Sequence, residues 1–428
     1  MNTISAKLRE TNKYIFIYYI LILCATIAVS KPNANLGNIY RFGYLCLVLL
    51  PLSFNVRIAP LVLTTFIGIS FASFAPLLPT NTTYYFIIVS IPLIARKPKS
   101  TTKVLLFVLL FVLYYLCIEL FNGTPRTNFI KWIFITFLLF QSIISKEDLN
   151  LFAKSFPVIS LVLSILFFLN FDSFVEEVAI MGEEVERSGW INPNIFGAYV
   201  GCGLVMAFYY FLNDRTNSKP IKIFYLSTII FSIITLIMNA SRGVVLSCSV
   251  SIVFILLFSN VKKFYKISIP ILLVLFLVTL YSLGTFDLLE ARFATENTAT
   301  AGGRTDIWLA KLNEFKNLPF GQQVFGVGYN NCVALGGNDM DTHNDLFTAL
   351  FAYGYVGLLL FSVMLILPLY LSRKNNFFIV LGFEVFLIME CFVLSPIFRG
   401  YFLFIAFYFF ILKYALFSKT EFQSSMQY

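Results

Sequence analysis

Long apolar runs alternate with short polar segments along the whole chain. Most runs come close to the roughly 20 residues that an α-helix needs to cross the hydrocarbon core of a bilayer. The pattern predicts that residues 1–428 form one all-α, polytopic transmembrane domain with about 14 helices, within a range of about 12–14. The predicted spans are 13–30, 39–54, 58–75, 82–95, 104–121, 129–144, 156–170, 193–212, 223–238, 244–259, 267–284, 346–371, 377–395 and 401–417.

Composition and charge support a membrane protein and predict its orientation. Hydrophobic residues make up 59% of the chain and charged residues 12%, against about 25% charged in soluble domains. The net charge of +9 comes largely from alternate loops at 96–103, 213–222, 260–266 and 372–376. Basic loops mark the cytoplasmic side, so both termini are expected there. The basic balance is therefore a topology signal, and it does not indicate a nucleic-acid partner.

Two long polar loops are then expected on the opposite, periplasmic side. One covers 171–192, and the larger covers 285–345 between the eleventh and twelfth spans. Within the larger loop, residues 305–316 predict a short amphipathic helix, because apolar residues from Trp308 to Phe315 recur at helical spacing. Trp308 is expected at the level of the lipid headgroups.

The only histidine of the sequence is His343, in the segment DTHNDLF that leads into an apolar run. Histidine is the usual general base near neutral pH. Asp341 or Thr342 is expected to cap the helix that follows, and Asp341 or Asp345 lies near enough in sequence to orient the ring. The alternative interpretation is a surface histidine with no chemical role.

Three arginines occur beside predicted helix starts on this same side. Arg187 and Asn194 belong to RSGWINPN, which opens a span, Arg242 lies in the tight turn NASRG between two spans, and Arg304 in GGRTDIW opens the loop helix. A guanidinium is a planar, permanently charged donor that suits phosphate, and helix N-termini attract anions. The arginines predict an anion clamp at the membrane surface. The alternative for each is a contact with lipid headgroups or with water.

Three acidic residues, Glu119, Glu384 and Glu390, fall inside predicted spans. An ionisable group in hydrocarbon is costly, so each is by default a functional candidate. The alternative is that each lies near a span end or pairs with a neighbouring helix.

Five motifs occur in order: RSGWINPN, SRG, GGRTDIW, GVGYNN and THNDLFTALFAYGYVGLLLF. Together they resemble the superfamily of O-antigen polymerases and O-antigen ligases of bacterial envelopes, over 187–360. The resemblance implies a multi-span glycosyltransferase with an undecaprenyl-diphosphate-linked glycan donor and with no nucleotide sugar, metal or cofactor. By position, it implies that His343 is the general base and that Arg242 and Arg304 bind diphosphate, with Arg187 in a donor-side motif. The further candidate substrate-site residues are Asn194, Asn330, Asn344, Asp345 and Arg399.

These features are interpreted as an O-antigen polymerase, a metal-independent inverting glycosyltransferase of the bacterial inner membrane with a periplasmic active site. Its donor and its acceptor are both undecaprenyl-diphosphate-linked oligosaccharides, and its expected partners are membrane lipid and a chain-length regulator protein. The alternative within the superfamily is a ligase, which moves the glycan to the lipid A core. The alternative of another class is a flippase for lipid-linked glycans, which should have discontinuous helices and polar sites near the bilayer midplane.

Overall fold

The structure is a computed structural model. It describes residues 2–29, 37–53, 55–71, 89–90, 102–123, 126–171, 193–213, 218–287, 289–290, 304–337, 340–373 and 376–416. These ranges form sixteen α-helices and two short 3-10 turns, and they contain no strand. Five of the helices within these ranges are long and apolar enough to cross a membrane. The prediction of an all-α polytopic membrane protein is confirmed.

The helices follow the predicted spans along most of the chain. They are α1 (Asn2–Val29), α2 (Asn38–Leu49), α3 (Ala59–Phe71), α4 (Thr102–Phe121), α5 (Thr127–Ser142), α6 (Lys146–Leu169), α7 (Pro193–Asn213), α8 (Lys219–Met238), α9 (Arg242–Phe258), α10 (Lys263–Ser282), α11 (Arg304–Lys316), α12 (Phe320–Phe325), α13 (Tyr329–Ala334), α14 (Asp345–Ser372), α15 (Phe377–Val393) and α16 (Phe402–Leu416). The 3-10 turns are Leu50–Ser53 and Val56–Ile58. Almost all of the predicted span 82–95 and of the predicted loop 171–192 lies outside the described residues.

Helix α6 begins about ten residues before the predicted span 156–170. Its start is a capping box, in which the Ser145 hydroxyl accepts from Asp148 N–H at 3.2 Å and the Asp148 carboxylate accepts from Ser145 N–H at 3.0 Å. This reciprocal pair satisfies N–H groups that the first helical turn leaves without partners. The helix starts in a charged segment, which is why the apolar pattern alone did not reveal it.

Burial separates the centre of the bundle from its periphery. Every residue of α16 from Phe402 to Ala415 is buried, and this helix packs against α5 and α14 among others. By contrast, only 6% of the apolar stretch of α10 is buried within the protein. A helix that is apolar around its whole circumference lies either in a core or against lipid. Helix α16 is thus a central helix, and α10 presents its surface to the membrane.

Helix α14 is interrupted at Gly354, so the predicted span 346–371 consists of two helical segments. The Gly354 backbone has φ 70° and ψ −170°, a combination that is essentially restricted to glycine. A Cβ atom at this position would overlap the backbone of Val324 and Gly326. The segment that connects α12 to α13 therefore lies directly against the break.

The carbonyl groups beside the break have hydrogen-bond donors from other parts of the chain. Gly328 N–H donates to the Ala352 carbonyl at 2.8 Å, and the Tyr114 hydroxyl donates to the Tyr353 carbonyl at 2.7 Å. Non-helical backbone at membrane depth requires such partners, because hydrocarbon offers none. The break is thus a docking point at which residues 304–345 join the bundle.

We call the end of the bundle that carries residues 304–345 the loop end. The helix predicted over 305–316 is confirmed as α11. The fully buried Lys311 lies on α11, and its ammonium donates hydrogen bonds to the carbonyls of Cys332, Val333 and Leu335 at 2.6–2.8 Å. This lysine ties α11 to the C-terminal end of α13.

Candidate catalytic site

His343 lies at the loop end, two residues before α14, in a backbone conformation that few non-glycine residues adopt. Its φ is 51°. The next residue caps the helix: the Asn344 side-chain oxygen accepts from the N–H groups of Leu346 at 2.9 Å and Phe347 at 3.2 Å. The prediction that Asp341 or Thr342 caps this helix is therefore wrong. An N-cap must immediately precede the first helical residue, and Asn344 holds that position.

Thr342, the residue before His343, also connects the histidine segment to α14. Its hydroxyl is 2.5 Å from the Thr348 hydroxyl and donates to the Asn344 carbonyl at 3.0 Å. Thr342 and Asn344 are both almost fully buried, whereas His343 between them is half-buried. The backbone on both sides of the ring is thus held in place, while the ring itself is partly accessible.

Arg399 contacts the histidine directly. Its terminal nitrogen Nη2 lies 3.0 Å from His343 Nδ1 and 3.5 Å from Nε2. Arg399 belongs to the segment between α15 and α16, 56 residues further along the chain. Among the sequence candidates it was one of the further substrate-site residues, and the structure brings it closer to the base candidate than sequence reasoning indicated.

Asp341 completes this cluster through Arg399. Arg399 Nε donates to Asp341 Oδ2 at 2.9 Å, and the Tyr329 hydroxyl donates to the same oxygen at 2.5 Å. Burial by itself raises the pKa of Asp341, but the Arg399 guanidinium and the Tyr329 hydroxyl outweigh it and hold that pKa below its ordinary value. Asp341 is therefore an ionised partner of Arg399 near neutral pH. It is linked to His343 through the Arg399 guanidinium, which contacts both residues.

Asp345 has a different environment. Its fully buried carboxylate accepts from the N–H groups of Ile397 at 3.0 Å and Phe398 at 3.1 Å. These bonds fix the backbone immediately before Arg399. The structure thus separates the two aspartates that sequence analysis left as alternatives, because Asp341 holds the Arg399 side chain and Asp345 holds the backbone of the two residues before it.

Arg242 is the first residue of α9 and is half-buried. The turn before it is buried and contains Ala240 with φ 53°. The Ser241 hydroxyl in this turn donates to the side-chain oxygen of Asn194 at 3.1 Å, which brings together two of the sequence motifs. A Cβ atom at Gly243 would lie only 2.5 Å from a methyl group of Val393, the last residue of α15. Arg242 therefore stands beside the segment that leads to Arg399.

Arg304 is the first residue of α11 and is also half-buried. One turn later, the Trp308 indole N–H donates to the Thr342 carbonyl at 2.6 Å, and its ring lies 5.1 Å from that of Phe347. The start of α11 is thus attached to the residue that precedes His343. Trp308 contacts the histidine segment, and its level relative to the lipid headgroups stays a prediction.

The remaining sequence candidates fall into different classes. Arg187 lies outside the described residues. Asn330 is exposed on α13, while Asn344 and Asp345 are buried and engaged in the backbone contacts given above. Glu384 and Glu390 lie buried within α15.

Two contributors to the site, Arg126 and Tyr329, were missed by sequence reasoning. Arg126 places its guanidinium carbon 3.6 Å from the centre of the Tyr329 ring and donates to the Phe398 carbonyl at 2.6 Å. Glu119 accepts from Tyr329 N–H and from the Tyr353 hydroxyl, each at 2.9 Å. Glu119 therefore pairs with neighbouring elements, one of the two readings of this acid. The only sequence signal for Tyr329 was its place in GVGYNN.

This arrangement provides a proton acceptor and several cationic groups at one end of an apolar bundle. His343 offers a basic nitrogen, Arg399 is fixed against it, and the starts of α9 and α11 carry two further arginines. Guanidinium groups near a base can stabilise anionic leaving groups such as diphosphate. The site therefore combines a proton acceptor with groups that can bind an anion.

Comparison with known proteins locates the family signal on these same elements. Residues 227–362 match the family model described as O-antigen ligase. The match includes Arg242, Arg304 and His343 but ends before Arg399. A search of curated proteins finds no match. Residues 227–362 thus carry a domain of the O-antigen ligase family.

Proposed function

We propose that the protein is an O-antigen polymerase of the bacterial inner membrane, with its loop end in the periplasm. It joins oligosaccharide repeat units that are carried on undecaprenyl diphosphate, and the same kind of molecule serves as donor and as acceptor. The observation that supports this most is the position of the sole histidine. His343 is fixed at the loop end of a membrane bundle, inside the matched family domain and against a guanidinium.

The proposed reaction is a direct displacement at the anomeric carbon of the donor. An acceptor hydroxyl gives its proton to His343 while its oxygen forms the new glycosidic bond. The bond from the anomeric carbon to the diphosphate oxygen breaks, and the electron pair leaves with the lipid diphosphate. Configuration at the anomeric carbon is inverted. Positioning and charge stabilisation supply most of the rate enhancement.

The arginines at the starts of α9 and α11 are assigned to the leaving diphosphate. Arg242 follows a buried turn that Asn194 holds in place, and Arg304 stands one turn before the Trp308 contact with Thr342. Both side chains are therefore presented from fixed backbone. A guanidinium can donate two parallel hydrogen bonds to one phosphate group, so each arginine suits the charge that grows as the diphosphate leaves.

A ligase is the second candidate, since the matched family model is described as O-antigen ligase. The chemistry at His343 would be the same, and the acceptor would be a sugar of the lipid A core. A flippase fits less well. Helix α14 is discontinuous, as in many transporters, but protein groups already bond the carbonyls at its break.

The test uses a bacterial strain that lacks this protein and has its surface glycans separated by length. Glycan that stops at core plus one repeat unit supports a polymerase, whereas long chains stranded on the carrier lipid indicate a ligase. Complementation with His343→Ala should reproduce the deletion phenotype, and Gln322→Ala, an exposed substitution on α12, should restore full-length chains. Long chains made by the His343→Ala protein would contradict the general-base role.

A further inference from the structure

The two distances from Arg399 to the His343 ring define where the guanidinium lies. Nη2 is 3.0 Å from Nδ1 and 3.5 Å from Nε2. A donor placed in the ring plane, along the Nδ1 lone pair at that distance, would be about 5 Å from Nε2. A point in the plane between the two nitrogens would overlap the Cε1 atom of the ring. Nη2 must therefore lie over the face of the imidazole.

Arg399 is held in this position at several points. Its Nε donates to Asp341 at 2.9 Å, and its Nη1 donates to the Tyr401 hydroxyl at 3.4 Å. The Asp345 carboxylate fixes the backbone two residues before it, at Ile397. With side chain and backbone both restrained, the guanidinium remains over the ring and limits its rotation.

The charges that face His343 favour a neutral ring. Arg399 contributes a cation in direct contact, and a like charge within about 4–6 Å disfavours protonation of a basic group. Asp341 is the counter-charge on the histidine's own segment, and it is shared with Arg399 and with the Tyr329 hydroxyl from α13. Tyr401 is a neutral phenol, whose pKa burial raises. The guanidinium is in direct contact with the ring.

The elements packed around this cluster add three further groups. Arg126, at the start of α5, adds positive charge behind the Tyr329 ring. Trp308 from α11 is uncharged and bonds to backbone. The contacts of Asp345 lie on backbone N–H groups. None of these three offsets the positive charge of Arg399 at the ring.

We propose that Arg399 is a positioning residue that lies on the face of His343, holds the plane of the ring and keeps the imidazole unprotonated. Because the contact is face-on, it does not occupy the in-plane position of either ring nitrogen, where a proton is transferred. Asp341 serves as the anchor that aims the guanidinium. This role rests on the proposed function, in which His343 is the base.

The single histidine makes the proposal directly measurable. Purified full-length protein labelled with ¹⁵N-histidine, and carrying a purification tag without histidine, gives nitrogen signals from His343 alone. Its protonation is followed against pH by NMR in the parent protein and in Arg399→Gln, which retains a donor but removes the charge. We expect the titration midpoint in Arg399→Gln to rise by about one pH unit, since Asp341 offsets part of the charge effect. Arg399→Lys retains the charge and should titrate close to the parent.

A second variant changes the charge balance in the opposite direction. Asp341→Asn removes the counter-charge while leaving the arginine, so the midpoint should fall. An unchanged midpoint in Arg399→Gln overturns the proposal. A rise in both variants also overturns it, because it shows general loosening of the site and not an effect of charge. If Arg399→Gln does not fold, Arg399→Met takes its place, since it also removes the charge, and an unchanged midpoint in that variant overturns the proposal.

Activity separates this proposal from the proposed function. In a polymerisation assay with a synthetic lipid-diphosphate oligosaccharide, the acidic limb of the pH profile for kcat/KM should move with the NMR midpoint in Arg399→Gln. An active His343→Gln protein would refute the general-base function, whatever the NMR result. An inactive His343→Gln protein together with an unshifted Arg399→Gln midpoint would refute only the role of Arg399.

Discussion

Replacing Lys311 with methionine removes the ammonium that holds α11 to the end of α13. In the folded protein this group donates to the carbonyls of Cys332, Val333 and Leu335 at 2.6–2.8 Å, and the side chain is fully buried. Methionine retains a long, flexible apolar side chain that fits the same space. The substitution therefore tests the three hydrogen bonds with little change in packing.

The expected loss of stability depends on which of the three carbonyls water can reach once the ammonium is gone. The bonds to Cys332 and Leu335 are buried, whereas the bond to Val333 is partly buried. A buried acceptor that loses its partner costs about 1–3 kcal/mol. Taking about 1.5 kcal/mol for each of the two buried carbonyls gives about 3 kcal/mol. The loss of the third bond is taken to be offset, because the variant no longer has to remove a charged ammonium from water.

The assay measures local opening of the loop end through the Cys332 thiol. This cysteine is buried and forms no disulfide, and burial raises the pKa of its thiol to about 12. A membrane-impermeant maleimide therefore reacts with it only when the loop opens, and peptide mass spectrometry distinguishes this site from the other cysteines. A loss of about 3 kcal/mol makes opening, and hence labelling, about 100-fold faster.

The matched control is Lys316→Met, which changes an exposed lysine of the same helix. Labelling of Cys332 should stay at the parent rate in this variant. The Lys311 ammonium opposes the rise in the pKa of the thiol, so its removal makes the thiol intrinsically less reactive, and an observed acceleration must come from opening. Equal labelling rates in Lys311→Met and the parent would refute the reasoning.

Three further predictions concern the site and the break in α14. Arg242→Lys and Arg304→Lys retain the charge but lose the planar donor pair, so each should lower polymerising activity at least about tenfold, measured as turnover of a lipid-linked repeat unit. Asp341→Asn should lower the free energy of unfolding by about 1–2 kcal/mol near pH 7, because Arg399 loses its partner. Since the pKa of Asp341 is held below its ordinary value in the folded protein, the difference from the parent is present above the ordinary pKa of an aspartate and is lost as the pH falls through the lowered pKa of the folded protein. Gly354→Ala should prevent accumulation of folded protein, since its Cβ overlaps the backbone of the docked segment and its dihedral angles suit only glycine.

Each of these predictions has a clear contrary result. Near-normal turnover in both lysine variants would argue against bidentate binding of diphosphate. A stability difference between Asp341→Asn and the parent that stays constant at every acidic pH at which both proteins fold would show that ionisation of the aspartate is not its source. For the glycine, the control is Gly321→Ala, because a Cβ atom there meets nothing within 4 Å. Equal yields of the two alanine variants would mean that the break tolerates a side chain.

The positions of the helices were largely predictable, because an apolar run of bilayer length has few alternatives to a helix. Helix α7, predicted over 193–212, extends over Pro193–Asn213. The failures are local and have physical causes. The start of α6 was missed because Ser145 and Asp148 form a polar capping box that hydropathy does not register. The break at Gly354 was missed because its partners lie more than 25 residues earlier in the chain.

The candidate site was predictable in its residue types but not in its contacts. A lone histidine and arginines at helix starts are visible in the sequence. The contact between His343 and Arg399 joins residues 56 positions apart, and nothing in the spacing of a single sequence specifies it. The same holds for Asp345, whose carboxylate bonds to backbone N–H groups that any residue would supply.

The break in α14 also constrains how the protein is assembled. A helix that enters hydrocarbon with unbonded carbonyls is unfavourable, and the donors for Ala352 and Tyr353 come from Gly328 and Tyr114. Both donors precede α14 in the chain, so they leave the ribosome first. The segment around Gly328 must therefore fold before α14 can take its final place. The last spans then assemble against a surface that already exists, and synthesis from N- to C-terminus supplies the parts in the order that the break requires.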